Sequence, residues 1–119
     1  MWIEIFNKDG ITLHWGCEIQ DNIYFGFTIE KNGKGGISDN EEMKFYRQII
    51  KDCDDLYQAD SENWLGWMYP TPKLNFRDFS SQEIFALADR ATLEKVTNQI
   101  AEKALGDITF ILEKIDKTN

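Results

Sequence analysis

Near the start of the chain, three successive segments alternate apolar and polar residues with a period of two, and short turn-forming connectors join them. WIEIF sets Trp2, Glu4 and Phe6 against Ile3 and Ile5. ITLHWGCEI places Ile11, Leu13, Trp15 and Cys17 on one side and Thr12 and His14 on the other. IYFGFTIE gives Ile23, Phe25, Phe27 and Ile29 one face and Tyr24, Gly26, Thr28 and Glu30 the other. Period two with β-branched and aromatic residues is the pattern of half-buried strands. The connectors NKDG and QDN are too short for a crossover, so the strands pair as an antiparallel meander with one buried and one wetter face.

The rest of the chain supplies the second layer. KNGKGGISDN (residues 31–40) reads as a flexible connection, because it lacks the Gly-Lys-Ser/Thr ending of a phosphate-binding loop. SDNEEMKFYRQIIKDCDDLYQ reads as a helix capped by Ser38, Asp39 or Asn40, with Glu41 and Glu42 in its first turn. Its apolar stripe is Phe45, Ile49, Cys53 and Leu56, widened by Tyr46, Ile50 and Tyr57. In WLGWMYPTPKLNFRDF, Pro70 and Pro72 forbid a continuous helix, and residues 64–69 suit a short edge strand. The segment is expected to close the seam between helices and sheet. Some of Trp64, Trp67, Leu74, Phe76 and Phe79 are expected to pack across it, at least one of the two tryptophans stays exposed, and Arg77 and Asp78 form a structural polar pair. QEIFALAD follows as a short helix. A long final helix carries Leu93, Val96, Ile100, Ala104, Ile108, Ile111 and Ile115 at spacings of three or four, with Gly106 marking close packing or a bend. The fold class expected is α+β: an antiparallel three- to four-stranded meander sheet followed by helices packed on one face, with residues 1–119 as a single domain.

Function is harder to read. With 21 acidic and 13 basic residues the net charge is −8, which disfavours direct binding to a phosphate backbone and suits a basic protein partner. Eight acidic residues against three basic ones lie between Asp39 and Glu62, the most acidic part of the chain. Asp52, Asp54, Asp55 and Asp60 lack the alternating ligand pattern of a calcium loop and read as a solvated acidic face. One histidine and two distant cysteines, Cys17 and Cys53, exclude the usual zinc patterns, and both thiols read as free. His14 has no local nucleophile to serve and reads as a solvated strand residue. No apolar run is long enough to span a membrane and no secretory signal is visible, so a cytoplasmic protein without cofactor or metal is expected.

The segment ENWLGWMYPTPKLNFRDFSSQEIFALAD, with the long amphipathic helix after it, resembles the C-terminal region of uncharacterised bacterial and phage proteins assigned to the PD-(D/E)XK nuclease superfamily. GITLHWGCEIQDNIYFGFTIE is similar to the strands that precede that region. The family's catalytic motif lies upstream of this part, so the resemblance implies an accessory portion and carries over no catalytic residue. The nearest internal match, Asp9 followed by Glu18-Ile19-Gln20, lacks the lysine that would complete a metal-dependent nuclease site.

These readings favour a non-enzymatic interaction protein over an enzyme. Its expected partner is a basic nucleic-acid-binding protein, such as a CRISPR effector inhibited by a phage- or mobile-element-encoded protein. The expected contacts are Asp52, Asp54, Asp55, Asp60 and Glu62, with Trp64 and Trp67 as anchors, since tryptophans dominate binding hot spots. The alternatives are an accessory module of a PD-(D/E)XK-like nuclease and a nucleic-acid binder that stacks bases on Trp64, Trp67, Tyr69 and Phe76 beside Lys73 and Arg77.

Overall fold

A computed structural model describes residues 1–19, 23–70 and 90–118. Strands β1 (Trp2–Lys8), β2 (Ile11–Ile19) and β3 (Ile23–Lys31) pair antiparallel in chain order, and β4 (Gly66–Met68) pairs with the free edge of β3. Asp9 and Gly10 join β1 to β2 with φ of 55° and 82°, the left-handed pair that a two-residue hairpin turn needs to match the strand twist. The short strand expected within residues 64–69 is β4. Its outer side is paired too, since Trp67 and Gln58 exchange both backbone hydrogen bonds.

Alternation places side chains on β2 and β3 as the sequence implies: Leu13, Trp15, Phe25, Phe27 and Ile29 are buried on one face. In β1 it breaks. A register shift between Glu4 and Phe6 inserts an extra residue, so Glu4 stands opposite His14 while Phe6 stands opposite Leu13. Phe6 therefore turns to the covered face with Ile3, not to the side of Trp2 and Glu4.

A 3-10 turn (Glu41–Met43) leads into α1 (Lys44–Cys53), and α2 (Arg90–Thr118) completes the second layer. The helix is shorter than the sequence pattern suggests. Asp54 is extended, and its carboxylate accepts the Leu56 N–H at 2.9 Å, which draws the backbone out of the helix. The stripe shifts as well: α1 presents Ile49 and Ile50 to the sheet, leaving Phe45 and Leu56, 43% and 68% exposed, toward water. No side-chain cap bonds the start of the 3-10 turn at Asn40. Gly66 is what lets α1 approach β4, because a Cβ there would come within 2.7 Å of Ile50 Cγ2.

The glycine-rich connection is pinned at both ends. Lys31 and Lys34 exchange backbone hydrogen bonds around a tight turn at Asn32 and Gly33, and the buried Ser38 donates its N–H to the Glu62 carbonyl at 2.8 Å. On α2, Ala104, Ile111 and Ile115 are buried and Ile100 and Ile108 lie partly against the core. The helix runs through Gly106 unbroken, and a Cβ there would meet nothing within 4 Å, so close packing does not account for that glycine. The expected helix QEIFALAD, and Leu74, Phe76, Arg77, Asp78 and Phe79, lie outside the described residues.

Candidate functional site

The face of the sheet away from the helices carries a cluster of aromatic side chains. Gly16 of β2 and Gly26 of β3 stand opposite each other there. A Cβ on Gly16 would run into the Trp2 indole, and one on Gly26 into the backbone of residues 66–67. The two glycines thus open a shallow seat in the middle of two strands, where larger side chains would stand up from the pleat. Trp2 settles on Gly16 and stacks against Trp64 at 5.5 Å between ring centroids with 28° between planes. Tyr24 meets Trp64 edge-on at 5.6 Å and Trp67 at 6.2 Å, and Trp67 meets Tyr69 edge-on at 5.3 Å. These separations are those of favourable aromatic pairs.

Polar groups hold the rings by their edges. The Trp67 indole N–H donates to Asp60 Oδ1 at 3.0 Å, and the Tyr24 hydroxyl donates to Glu18 Oε2 at 2.7 Å. Partial burial, with the Glu18 carboxylate beside it, pushes the Tyr24 hydroxyl up to about 12, so it remains a donor at neutral pH. The rings are not sealed. Trp2 is 48% exposed, and Tyr24, Trp64, Trp67 and Tyr69 are half-buried.

Trp64 and Trp67 therefore do not close the seam between helices and sheet. Leu65, between them, is fully buried in the core, while both tryptophans lie on the open face. The sequence-predicted contact residues divide accordingly. Asp60, Glu62, Trp64 and Trp67 belong to the loop and strand that edge the aromatic cluster, with Asp60 and Glu62 both exposed. Asp52, Asp54 and Asp55 belong to the helix layer. Asp52 accepts from Gln48 at 2.8 Å, and the Asp55 main-chain carbonyl accepts from Lys51 at 2.8 Å. Asp54 is engaged with Lys103 of α2 at 2.6 Å. Trp2 and Tyr24 were outside the predicted contact set. The mid-strand glycines Gly16 and Gly26 were the signal that something large approaches this face.

A second polar constellation ties the helices together. Lys103 bridges Asp54 and Asp107, at 2.6 and 3.1 Å, and the buried Tyr57 donates its hydroxyl to Asp107 at 2.5 Å. Burial pushes the Asp54 carboxyl up, but hydrogen bonds from Lys103 and the Leu56 N–H outweigh it and hold the group below its usual value. Burial likewise works against the Lys103 ammonium, and the two carboxylates more than compensate, raising it. Burial and the neighbouring Asp107 push the Cys53 thiol up to about 12. A protonated thiol and a doubly paired ammonium are neither nucleophile nor base at neutral pH. The constellation is a structural clamp between the end of α1 and the middle of α2.

Among the described residues, no group of three or more histidine, cysteine, aspartate or glutamate side chains is placed to hold a metal ion. No helix among them is long and apolar enough to cross a membrane. Compared with protein-family models, curated proteins and solved structures, the chain matches none.

Proposed function

We propose that the chain is a non-enzymatic binding protein that docks a basic, nucleic-acid-binding protein through the open face of its sheet. The observation that carries this reading is the run of mutually supporting rings from Trp2 through Trp64, Tyr24 and Trp67 to Tyr69, left open to water beside exposed carboxylates. Rings already fixed by their neighbours lose little rotamer freedom on binding, and Trp and Tyr dominate hot spots. Asp60 and Glu62 at the edge, within a chain of net charge −8, steer a basic surface toward them and repel a phosphate backbone. An enzyme with a basic nucleic-acid groove is the partner class this chemistry fits. A phage- or mobile-element-encoded inhibitor of a defence nuclease such as a CRISPR effector is the biological form proposed.

The test is a binding titration against a panel of purified basic nucleic-acid enzymes, each with and without its nucleic acid. The expected result is a complex that nucleic acid displaces and that Trp64→Ala weakens at least about tenfold, a typical hot-spot loss. Absence of binding to every member at low salt, or equal binding by Trp64→Ala, would sink the proposal. The same rings also favour a second reading, base stacking on single-stranded nucleic acid. Direct binding whose affinity falls steeply with salt would select it.

A further inference from the structure

We propose that a cleft beside Trp2 on the open face takes the guanidinium of an arginine side chain on the partner. This rests on the open face being the docking surface. The cleft has a volume of about 330 Å³ and is lined by Trp2, His14, Glu30 and Asn63, with the backbone of Gly35 and Gly36 at its margin.

Glu30 sets the chemistry. It is half-buried near the end of β3, opposite Thr12 of β2, and its carboxylate makes no hydrogen bond or ion pair among the described residues. Two neighbouring lysines are engaged elsewhere. Lys31 pairs with Glu42 at 2.7 Å, and Lys8 lines a groove against α2 with Phe6 and Ile115. A carboxylate that lines a cleft and lacks a counter-charge among the described residues is an attractive partner for an incoming cation. The remaining walls favour arginine over lysine. An indole surface suits a flat, weakly hydrated guanidinium, and its several donors suit a lining that carries both a carboxylate, Glu30, and an amide, Asn63. The glycines keep the margin low: a Cβ on Gly35 would lie 3.9 Å from Glu30 Cγ, and one on Gly36 would lie 3.9 Å from Asn63 Oδ1.

The experiment is an NMR titration of the full ¹⁵N-labelled chain with N-acetyl-arginine methylamide, and in parallel with its neutral citrulline counterpart. Saturable shifts of the Gly35 and Gly36 amides and the Trp2 indole N–H are expected with arginine. Binding should weaken at least about tenfold, or about 1.4 kcal/mol, with citrulline and in Glu30→Gln. Gly35→Val, which narrows the cleft and leaves the charge in place, should lose binding as well. The proposal is overturned if citrulline shifts these resonances as arginine does, if Glu30→Gln titrates like the parent, or if arginine moves none of them. Measuring Glu30→Gln against a basic enzyme from the panel separates the two ideas. A complex indifferent to Glu30→Gln removes the arginine cleft and leaves the docking face standing. A specific arginine titration with no enzyme bound keeps the cleft and removes the docking reading.

Discussion

On the covered face of the sheet, Leu13, Trp15, Phe25, Phe27 and Ile29 are each at most 1% exposed, whereas on the open face Trp2, Tyr24, Trp64, Trp67 and Tyr69 all retain contact with water. Both faces are aromatic, and both come from strands with the same period. They differ in what lies above them. The covered face is closed by two helices, so its rings contribute burial and dispersion to folding. The open-face rings pack on one another and on backbone exposed by glycines, so each is oriented but still has surface to offer. Sheet aromaticity alone therefore does not separate core from contact surface. Gly16 and Gly26 do so here, because they mark where a ring lies flat on the open face or a neighbouring backbone closes in.

Substitutions should separate the faces by what they damage. Phe27→Ala removes a fully buried ring at the centre of the core and should cost about 4 kcal/mol, read as a fall in the denaturant midpoint. A cost near 1 kcal/mol would mean that the helices close the covered face only loosely. Lys103→Met tests how that closure is held. It leaves Asp54 and Asp107 without their shared counter-charge and should cost about 2 kcal/mol near neutrality.

The pH dependence of that cost follows from the shifts. Asp54 is lowered from 3.8, so its contribution is present above that value and is lost as pH falls through its lower folded value. Lys103 is raised from 10.5, so its contribution is present below that value and is lost as pH rises through its higher folded value. The stability difference between parent and Lys103→Met should therefore be flat in between and shrink at both extremes, as urea titrations at several pH values will show. The smallest effect on stability belongs to the open face. Trp64→Ala should cost about 1 kcal/mol, the value of its ring contacts, while strongly weakening partner binding. A loss as large as that of Phe27→Ala would place Trp64 among the core residues.

The sheet was legible because its signals are local. Period-two alternation and the turn formers around Gly10 specify strand, face and pairing without reference to the rest of the chain. The bulge at Ile5 was not legible: the alternation of WIEIF is regular, and only pairing with β2 shows that Phe6 turns inward. The end of α1 was missed because the spacing of Cys53 and Leu56 continues the stripe. The side chain of Asp54 competes for the backbone there and stops the helix first. Of the candidate site, Trp64, Trp67 and Asp60 were singled out from composition and position. Trp2 and Tyr24 join them only across strands, and Glu30 becomes notable only through its half-burial without a counter-charge. Asp54 looked like one more surface acid, since nothing in sequence announces a partner as distant as Lys103.

That distance has a further consequence. The clamp contacts Lys103–Asp54 and Tyr57–Asp107 span 49 and 50 positions, whereas the first hairpin closes across the two residues Asp9 and Gly10. Short-range hairpins form within microseconds, and contacts of long sequence separation wait for the chain between them to be gathered in. On that ground the clamp is expected to form after the hairpin. An interaction absent from the transition state leaves the rate of folding almost untouched and acts on the rate of escape, so Lys103→Met should speed unfolding with little change in the folding rate, as the two arms of a denaturant chevron will read.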